Sequence, residues 1–390
     1  MNHPLELTNE LVAEAFADYR KNQAYRIDEV TEAKAHDQGA RVGVSRKHES
    51  AHLHVAGEAA YIDDLPELEG TLHCALGLSP VAHGRLTALA LEAVRAMPEV
   101  VDVITAADIP GVNDCGSIIH DDPILCDGEI RYVGQPLFAV IARSRDAARR
   151  AAALAKAAAT ISELAPVLTP RQAHELGQYV MPPMHLERST REGGARAAMD
   201  AAPHRLKGSF DVGGQEQFYL EGQISYATPK EDGAVHIHCS TQHPSEMQHL
   251  VAHALGVASH CVHVECRRMG GGFGGKESQS ALFACVAAVA ATRLQKPVKL
   301  RLDRDDDFMI TGRRHCFWYE YEVGYDDEGR VLGAEISMVS REMRSCLSLR
   351  KWAVDTKLST NSTFGFCSVI VVSNFCSFFL ASRRCSSAEM

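Results

Sequence analysis

The sequence has no surplus of basic residues: 40 Lys and Arg stand against 50 Asp and Glu, a formal charge of −10 at pH 7. Proteins that grip nucleic acid without sequence preference carry a basic stripe, so that class is set aside; small molecules and other proteins are the expected partners. The chain also lacks a basic segment leading into an apolar run and a small-residue cleavage site, so no secretory leader is expected and the cytoplasm is the expected compartment. Twelve cysteines are present, but no two form a CxxC pair and none follow the C-x4-C-x2-C spacing of a plant-type iron–sulfur site. Thiols scattered along a long chain read as reduced residues, not as a disulfide scaffold. Any redox work then needs electron carriers held elsewhere.

What is present is enough chain, at 390 residues, for more than one core, because single cores stop growing near 250 to 300 residues. Residues 1–41 form a polar, charge-mixed extension, with spacing for one amphipathic helix over 7–21 and Thr8 or Asn9 as its cap. Residues 42–165 alternate: strands are expected over 71–78, 100–105 and 135–142, and helices over 89–96 and 145–159. The stretch 166–205 has prolines, the Gly193-Gly194 pair and no period, and reads as a surface linker. Within 206–341, strands over 235–239, 261–267 and 298–302 alternate with helices over 244–255 and 277–294, and a β-hairpin turns at 326–329. The fold class is therefore mixed α/β. After residue 341 the composition turns rich in Ser, Phe and Cys with no period, so 342–390 is expected to be an aberrant or disordered tail. Its apolar stretch 364–380 is short for a membrane span and is interrupted by Ser373, Asn374 and Ser377.

The most informative segment is RMGGGFGGKE, residues 268–277, with five glycines in six positions. Glycine permits positive φ and removes the Cβ, so a ligand can approach the main chain. The loop is expected to run from a strand into a helix N-terminus, where free N–H groups and the helix dipole favour an anion. Gly270, Gly275 and Lys276 fit the GxxxxGK frame of a nucleotide phosphate loop, but Glu277 stands where Ser or Thr should hold magnesium. A tight structural turn between packed elements is the bland alternative. For Glu277 the bland reading is a carboxylate placed on a helix dipole. The histidines His48, His52 and His54, and the pair His236 and His238, have metal-ligand chemistry, yet strand alternation alone explains the last two. The run Asp303, Asp305, Asp306 and Asp307 lacks the glycine of an EF-hand loop and reads as a turn.

Together, RMGGGFGGKE, the STQ at Ser240 to Gln242, GGQEQFYLE at 213–221, LDRDDDFMITGRRH at 302–315 and HVAGEAAYIDD at 54–64 resemble, in the same order, the molybdenum-binding subunit of the xanthine dehydrogenase/aldehyde oxidase family. The resemblance runs from about residue 42 to 341. It implies an α/β hammerhead domain followed by the first part of a molybdopterin-binding domain. It also implies a molybdenum–molybdopterin cofactor that hydroxylates an electron-poor purine carbon with oxygen from water. Electrons would pass to 2Fe-2S and FAD groups on a partner subunit, and then to NAD. By the same resemblance Gln242 hydrogen-bonds beside the metal, Phe273 and Gly274 place their backbone against metal and pterin, and Gly272 belongs to the cofactor cradle. Glu277 sits where purine-hydroxylating members carry a substrate-binding glutamate and aldehyde-oxidising relatives an apolar residue. The family's catalytic glutamate and its second glycine-rich loop have no counterpart here. The chain is thus expected to be a truncated form, inactive alone and with no catalytic residue of its own. A non-catalytic module docking the electron-transfer subunit and an aldehyde oxidase-type hydroxylase are the alternatives.

Overall fold

A computed structural model of the protein describes residues 45, 47–117, 120–179, 183, 185–188, 194–341 and 357–360, with 185–188, 341 and 357–360 described as backbone. The expected helix over 7–21 and the apolar stretch 364–380 lie outside these. Two compact units are distinguished, Met1–Ala60 and Tyr61–Met390. In the first, helix Ala51–Ala56 ends at Gly57, whose φ of 74° turns its N–H back onto the carbonyls of His54 and Leu53. The rings of His48 and His54 meet edge-on at 6.0 Å.

The second unit begins with strands β1 (Leu72–Leu78), β2 (Gly84–Leu89), β3 (Val100–Ile104), β4 (Glu129–Ile130), β5 (Pro136–Ala142) and β6 (Ala159–Glu163). It continues with β7 (His185–Arg188), β8 (His204–Val212), β9 (Ile224–Pro229), β10 (Val235–Cys239), β11 (Val262–Glu265), β12 (Val298–Arg301), β13 (Cys316–Tyr325), β14 (Val331–Arg341) and β15 (Lys357–Thr360). The main sheet has the order β11-β10-β9-β12-β1-β5-β3 and so draws strands from both halves of the sequence. The joint is a parallel pairing in which Leu72, His73 and Cys74 lie opposite Val298, Lys299 and Leu300. A shared core explains it. Leu72, Cys74 and Leu76 of β1 and Val298 and Leu300 of β12 bury into the same cluster as helices Pro244–Leu255 and Ser280–Leu294.

Helix Ser280–Leu294 is the centre of that cluster, with every residue from Ser280 to Ala291 buried. Alanine makes this possible: it is the best helix former and has a slim profile, so the helix fits against both sheet and neighbouring helix. Every second residue of β10 (Val235, Ile237, Cys239) faces these helices, and the intervening His236 and His238 point to the opposite face.

The structure corrects several expectations. The helix expected over 89–96 is shorter, Glu92–Arg95, and Leu89 is the last residue of β2. The helix expected over 145–159 breaks into Arg145–Ala152 and Ala155–Ala158, and then becomes β6, an edge strand held by β2. Strands β10 and β12 are not neighbours, because β9 lies antiparallel between them. The stretch read as a linker holds helices Pro170–Glu175 and Gly194–Asp200. Gly194–Asp200 rests on the β13–β14 hairpin so closely that a Cβ on Gly333 would sit 2.7 Å from the Ala195 carbonyl oxygen. Its buried side chains are Ala195 and Met199, too few for a period to be seen. In the stretch read as an aberrant tail, Lys357–Thr360 pairs parallel with β7. Asp303 starts a helix, Arg304–Ile310, where a turn was expected. No helix among the described residues is long and apolar enough to cross a membrane.

Candidate cofactor and substrate site

Strand β11 ends at Glu265, and the glycine loop runs from there to helix Ser280–Leu294, so one end is tied to a sheet edge and the other to the most buried helix. Two further segments clamp it. The Gly270 carbonyl accepts from the N–H of both Leu220 and Glu221, each at 3.1 Å, and the Gly270 N–H donates to the Glu221 carboxylate at 2.8 Å. From the other side the Gln242 N–H donates to the Lys276 carbonyl at 2.8 Å, and the Thr241 hydroxyl donates to the same oxygen at 3.1 Å. Glycine is required at Gly270, because a Cβ there would lie 2.4 Å from the Glu221 Cβ. Three motifs far apart in sequence are thereby brought together.

The side chain of Gln242 is oriented by this loop. Its Oε1 accepts from the N–H of Gly274 at 2.9 Å and of Lys276 at 3.2 Å. With the carbonyl end occupied, the amide NH2 of this exposed residue is the end left to donate to a ligand. Gly272 packs against it, and a Cβ there would come within 2.5 Å of Oε1. Phe273 adopts φ 54° with its ring 74% exposed, and Gly274 adopts φ 87° with open space where a side chain would point. Gly272→Ala is expected to push Gln242 off both N–H donors and cost about 1–2 kcal/mol in urea unfolding. Gln242→Glu, which keeps an acceptor there, is expected to change stability by less than about 0.5 kcal/mol. Equal stability of Gly272→Ala and the native chain would refute this account of the loop.

Glu277 follows directly and is half-buried. Among the described residues its carboxylate takes part in no hydrogen bond or ion pair. Lys276, by contrast, is wholly buried and turned inward. Its Nζ donates to the Glu221 carbonyl at 2.6 Å and to Ser240 Oγ at 2.7 Å, lies 3.5 Å from the Glu221 carboxylate, and sits 4.6 Å from the Tyr219 ring centre. Burial lowers the pKa of this ammonium, and the Glu221 charge opposes the shift. A lysine so placed holds the loop and is not available to a phosphate, which removes the nucleotide-loop reading.

Sequence reasoning passed over the support beneath. Asp307, read as part of a polar acidic run, is buried and accepts from Tyr219 OH at 2.6 Å, the Gln223 N–H at 3.0 Å and Thr311 Oγ1 at 3.0 Å. Burial and the Asp307 charge push the Tyr219 phenol up, so it remains a donor. Gln223 in turn donates to the Gly275 carbonyl at 2.9 Å. Gln217 lies against Gly275, and its buried Oε1 has no hydrogen-bond partner among the described residues. The motifs at 213–221 and 302–315 contain Gln217, Tyr219, Asp307 and Thr311 but gave them no individual roles, and Gln223 lies outside both.

The fold and the loop define a hammerhead-type α/β domain joined to a molybdopterin-binding domain. Residues 56–159 match the family described as "Aldehyde oxidase and xanthine dehydrogenase, a/b hammerhead domain", and residues 177–348 match "Molybdopterin cofactor-binding domain". The chain belongs to the xanthine dehydrogenase/aldehyde oxidase family. It is 38% identical to a xanthine dehydrogenase of Oryza sativa subsp. japonica over 77% of this chain and 22% of that protein. It is 37% identical to aldehyde oxidase 2 of Macaca fascicularis over 76% of this chain and 21% of that protein. The chain thus spans about a fifth of the length of the curated relatives it matches. Its fold is similar to that of the aldehyde oxidoreductase of Desulfovibrio gigas, with a TM-score of 0.63 at 24% identity, covering 75% of this chain and 34% of that one.

The residues present fit a molybdopterin. The loop offers hydrogen-bonding groups: the Gln242 amide, the unpartnered Gln217 Oε1 and the open main chain at Gly274. Residues 268–277 contain no cysteine or histidine. A metal in such a cradle is held through an organic group, which is how a pterin dithiolene carries molybdenum.

Proposed function

We propose that this chain is the molybdenum-cofactor part of a xanthine dehydrogenase-type enzyme that hydroxylates hypoxanthine and xanthine with oxygen derived from water. Electrons then leave to 2Fe-2S and FAD groups on a partner subunit and on to NAD. The observation that carries the purine assignment is Glu277, a half-buried carboxylate in no hydrogen bond or ion pair among the described residues, directly after the glycine loop. Identity alone does not separate the readings, since xanthine dehydrogenase and aldehyde oxidase relatives match almost equally.

In this reading, residues 42–165 are the hammerhead domain and 206–341 the first part of the cofactor domain. Gln242 donates its amide NH2 beside the metal. Gly272, Phe273 and Gly274 present main chain to metal and pterin. Glu277 accepts from ring N–H groups of the purine and fixes its orientation; an unpaired carboxylate then penalises a substrate without those donors. When bound, the molybdenum centre supplies the two-electron oxidation of the purine carbon. No residue of this chain is assigned as the general base, so the 390 residues by themselves give no turnover. The compartment is the cytoplasm.

The test is co-expression with the iron–sulfur and flavin subunit, followed by elemental analysis and dye reduction. A molybdenum-containing complex that reduces dye with xanthine faster than with aldehydes is expected, together with no xanthine-dependent reduction by the isolated chain. Faster aldehyde turnover would overturn the purine assignment, and turnover by the isolated chain would overturn the division of labour. Co-purification without molybdenum would favour a docking module.

A further inference from the structure

On the face of the main sheet opposite the two buried helices, the side chains form a polar row. His73, Lys299, Tyr226, His238 and Glu265 lie side by side on β1, β12, β9, β10 and β11 through their strand registers. The row ends at the sheet edge with Glu265 on β11, and a second histidine, His236, lies two residues before His238 and therefore on the same side of β10. The Glu265 carboxylate oxygen lies 3.3 Å from His236 Nε2 and 3.5 Å from His238 Nε2. One ligand atom from each of these three residues falls within 4.8 Å of the others, the only such group of three found among the described residues.

We propose that His236, His238 and Glu265 form a binding site for a divalent transition-metal ion of the zinc type, separate from the molybdopterin cradle. The spacing supports it. Tetrahedral zinc with bonds of about 2.0–2.1 Å holds its ligand atoms roughly 3.4 Å apart, and both nitrogen-to-oxygen distances agree with that. His236 Nε2, one of these two nitrogens, is buried without a hydrogen-bond partner among the described residues. Two imidazoles and one carboxylate select zinc, cobalt or nickel over magnesium and calcium, which prefer oxygen-only sites. The fourth position is left to water. His263, in register with His236 and stacked on it at 4.6 Å, walls one side.

The consequence is mechanical. An ion bridging β10 and β11 would fasten the sheet's edge strand, and β11 is the strand that leads into the glycine loop.

The test uses the full chain, freed of metal by a chelator and titrated with Co2+. One equivalent is expected to bind with the visible absorption of low-coordinate cobalt, which one equivalent of Zn2+ bleaches. His238→Ala and Glu265→Gln are each expected to weaken Co2+ binding by at least ~100-fold, since even outer-sphere partners of a metal site are worth 10- to 100-fold. His249→Ala, at an exposed histidine bonded to Ser259, is expected to leave binding unchanged. Circular dichroism checks folding, and if His238→Ala does not fold, the surface variant Glu265→Gln decides. Unsaturable binding, or native Co2+ affinity in folded Glu265→Gln, would overturn the proposal. Neither readout depends on molybdenum or on turnover.

Discussion

Lys276→Met is expected to cost about 3–5 kcal/mol of folding free energy, the usual penalty for removing one partner of a buried ion pair. The methionine refills the volume but leaves the Glu221 carboxylate nearly buried without its cation, while Ser240 and the Glu221 carbonyl lose the ammonium as donor. Adding Glu221→Gln to Lys276→Met removes the stranded charge and is expected to recover part of the loss, which urea midpoints of the four proteins will measure. A midpoint for Lys276→Met within about 1 kcal/mol of native would show that the pair does not hold the loop. The pH dependence has a definite sign. The folded lysine has a pKa below the ordinary 10.5, so in the window between the two values the unfolded chain binds more protons and stability rises with pH. Buried Cys74 and Cys239, whose thiols are pushed up to about 12, act in the opposite direction at alkaline pH. The lysine contribution is therefore read as the difference between native and Lys276→Met, and that difference should widen as pH rises through the window.

Glu277→Val is expected to lower kcat/KM for xanthine roughly 10- to 100-fold in the complex with the electron-transfer subunit, the worth of one or two hydrogen bonds to a charged group. Aldehyde turnover should stay or rise, because an apolar wall no longer penalises a substrate lacking ring N–H donors. Stability should fall by no more than about 2 kcal/mol, the most a carboxylate at a partly buried helix N-terminus usually contributes. The two readings of Glu277 separate here. If the residue serves only the helix dipole, valine will shift the urea midpoint and leave the xanthine-to-aldehyde ratio where it was.

Much of the second half of the fold was legible, because its signals are local. Alternation in VHIHC gave β10 to the residue, and helical spacing gave Pro244–Leu255. The hairpin strands ran slightly longer than their pattern, as β13 and β14 extend to Cys316 and Arg341. What failed was non-local. That β12 should pair with β1, and that β9 should insert between β10 and β12, depends on contacts between distant segments that no window of sequence contains. Helix Gly194–Asp200 was invisible for a different reason, since its footing is the glycines of a hairpin more than a hundred residues later. In the site, the motifs named Gln242, Gly272, Phe273, Gly274 and Glu277. They did not say that Lys276 faces inward or that Asp307 is buried, because sequence gives the charge of a side chain and not its direction.

The twelve consecutive buried residues of helix Ser280–Leu294 carry a consequence for how this protein tolerates change. Any larger side chain along that helix has nowhere to go, so the stretch that anchors the loop is closed to variation on every side. Glu277, three positions upstream of the same helix, makes no hydrogen bond or ion pair among the described residues, so a change there leaves no protein group unpaired. Residues at the mouth of the loop can therefore change while the anchor stays as it is.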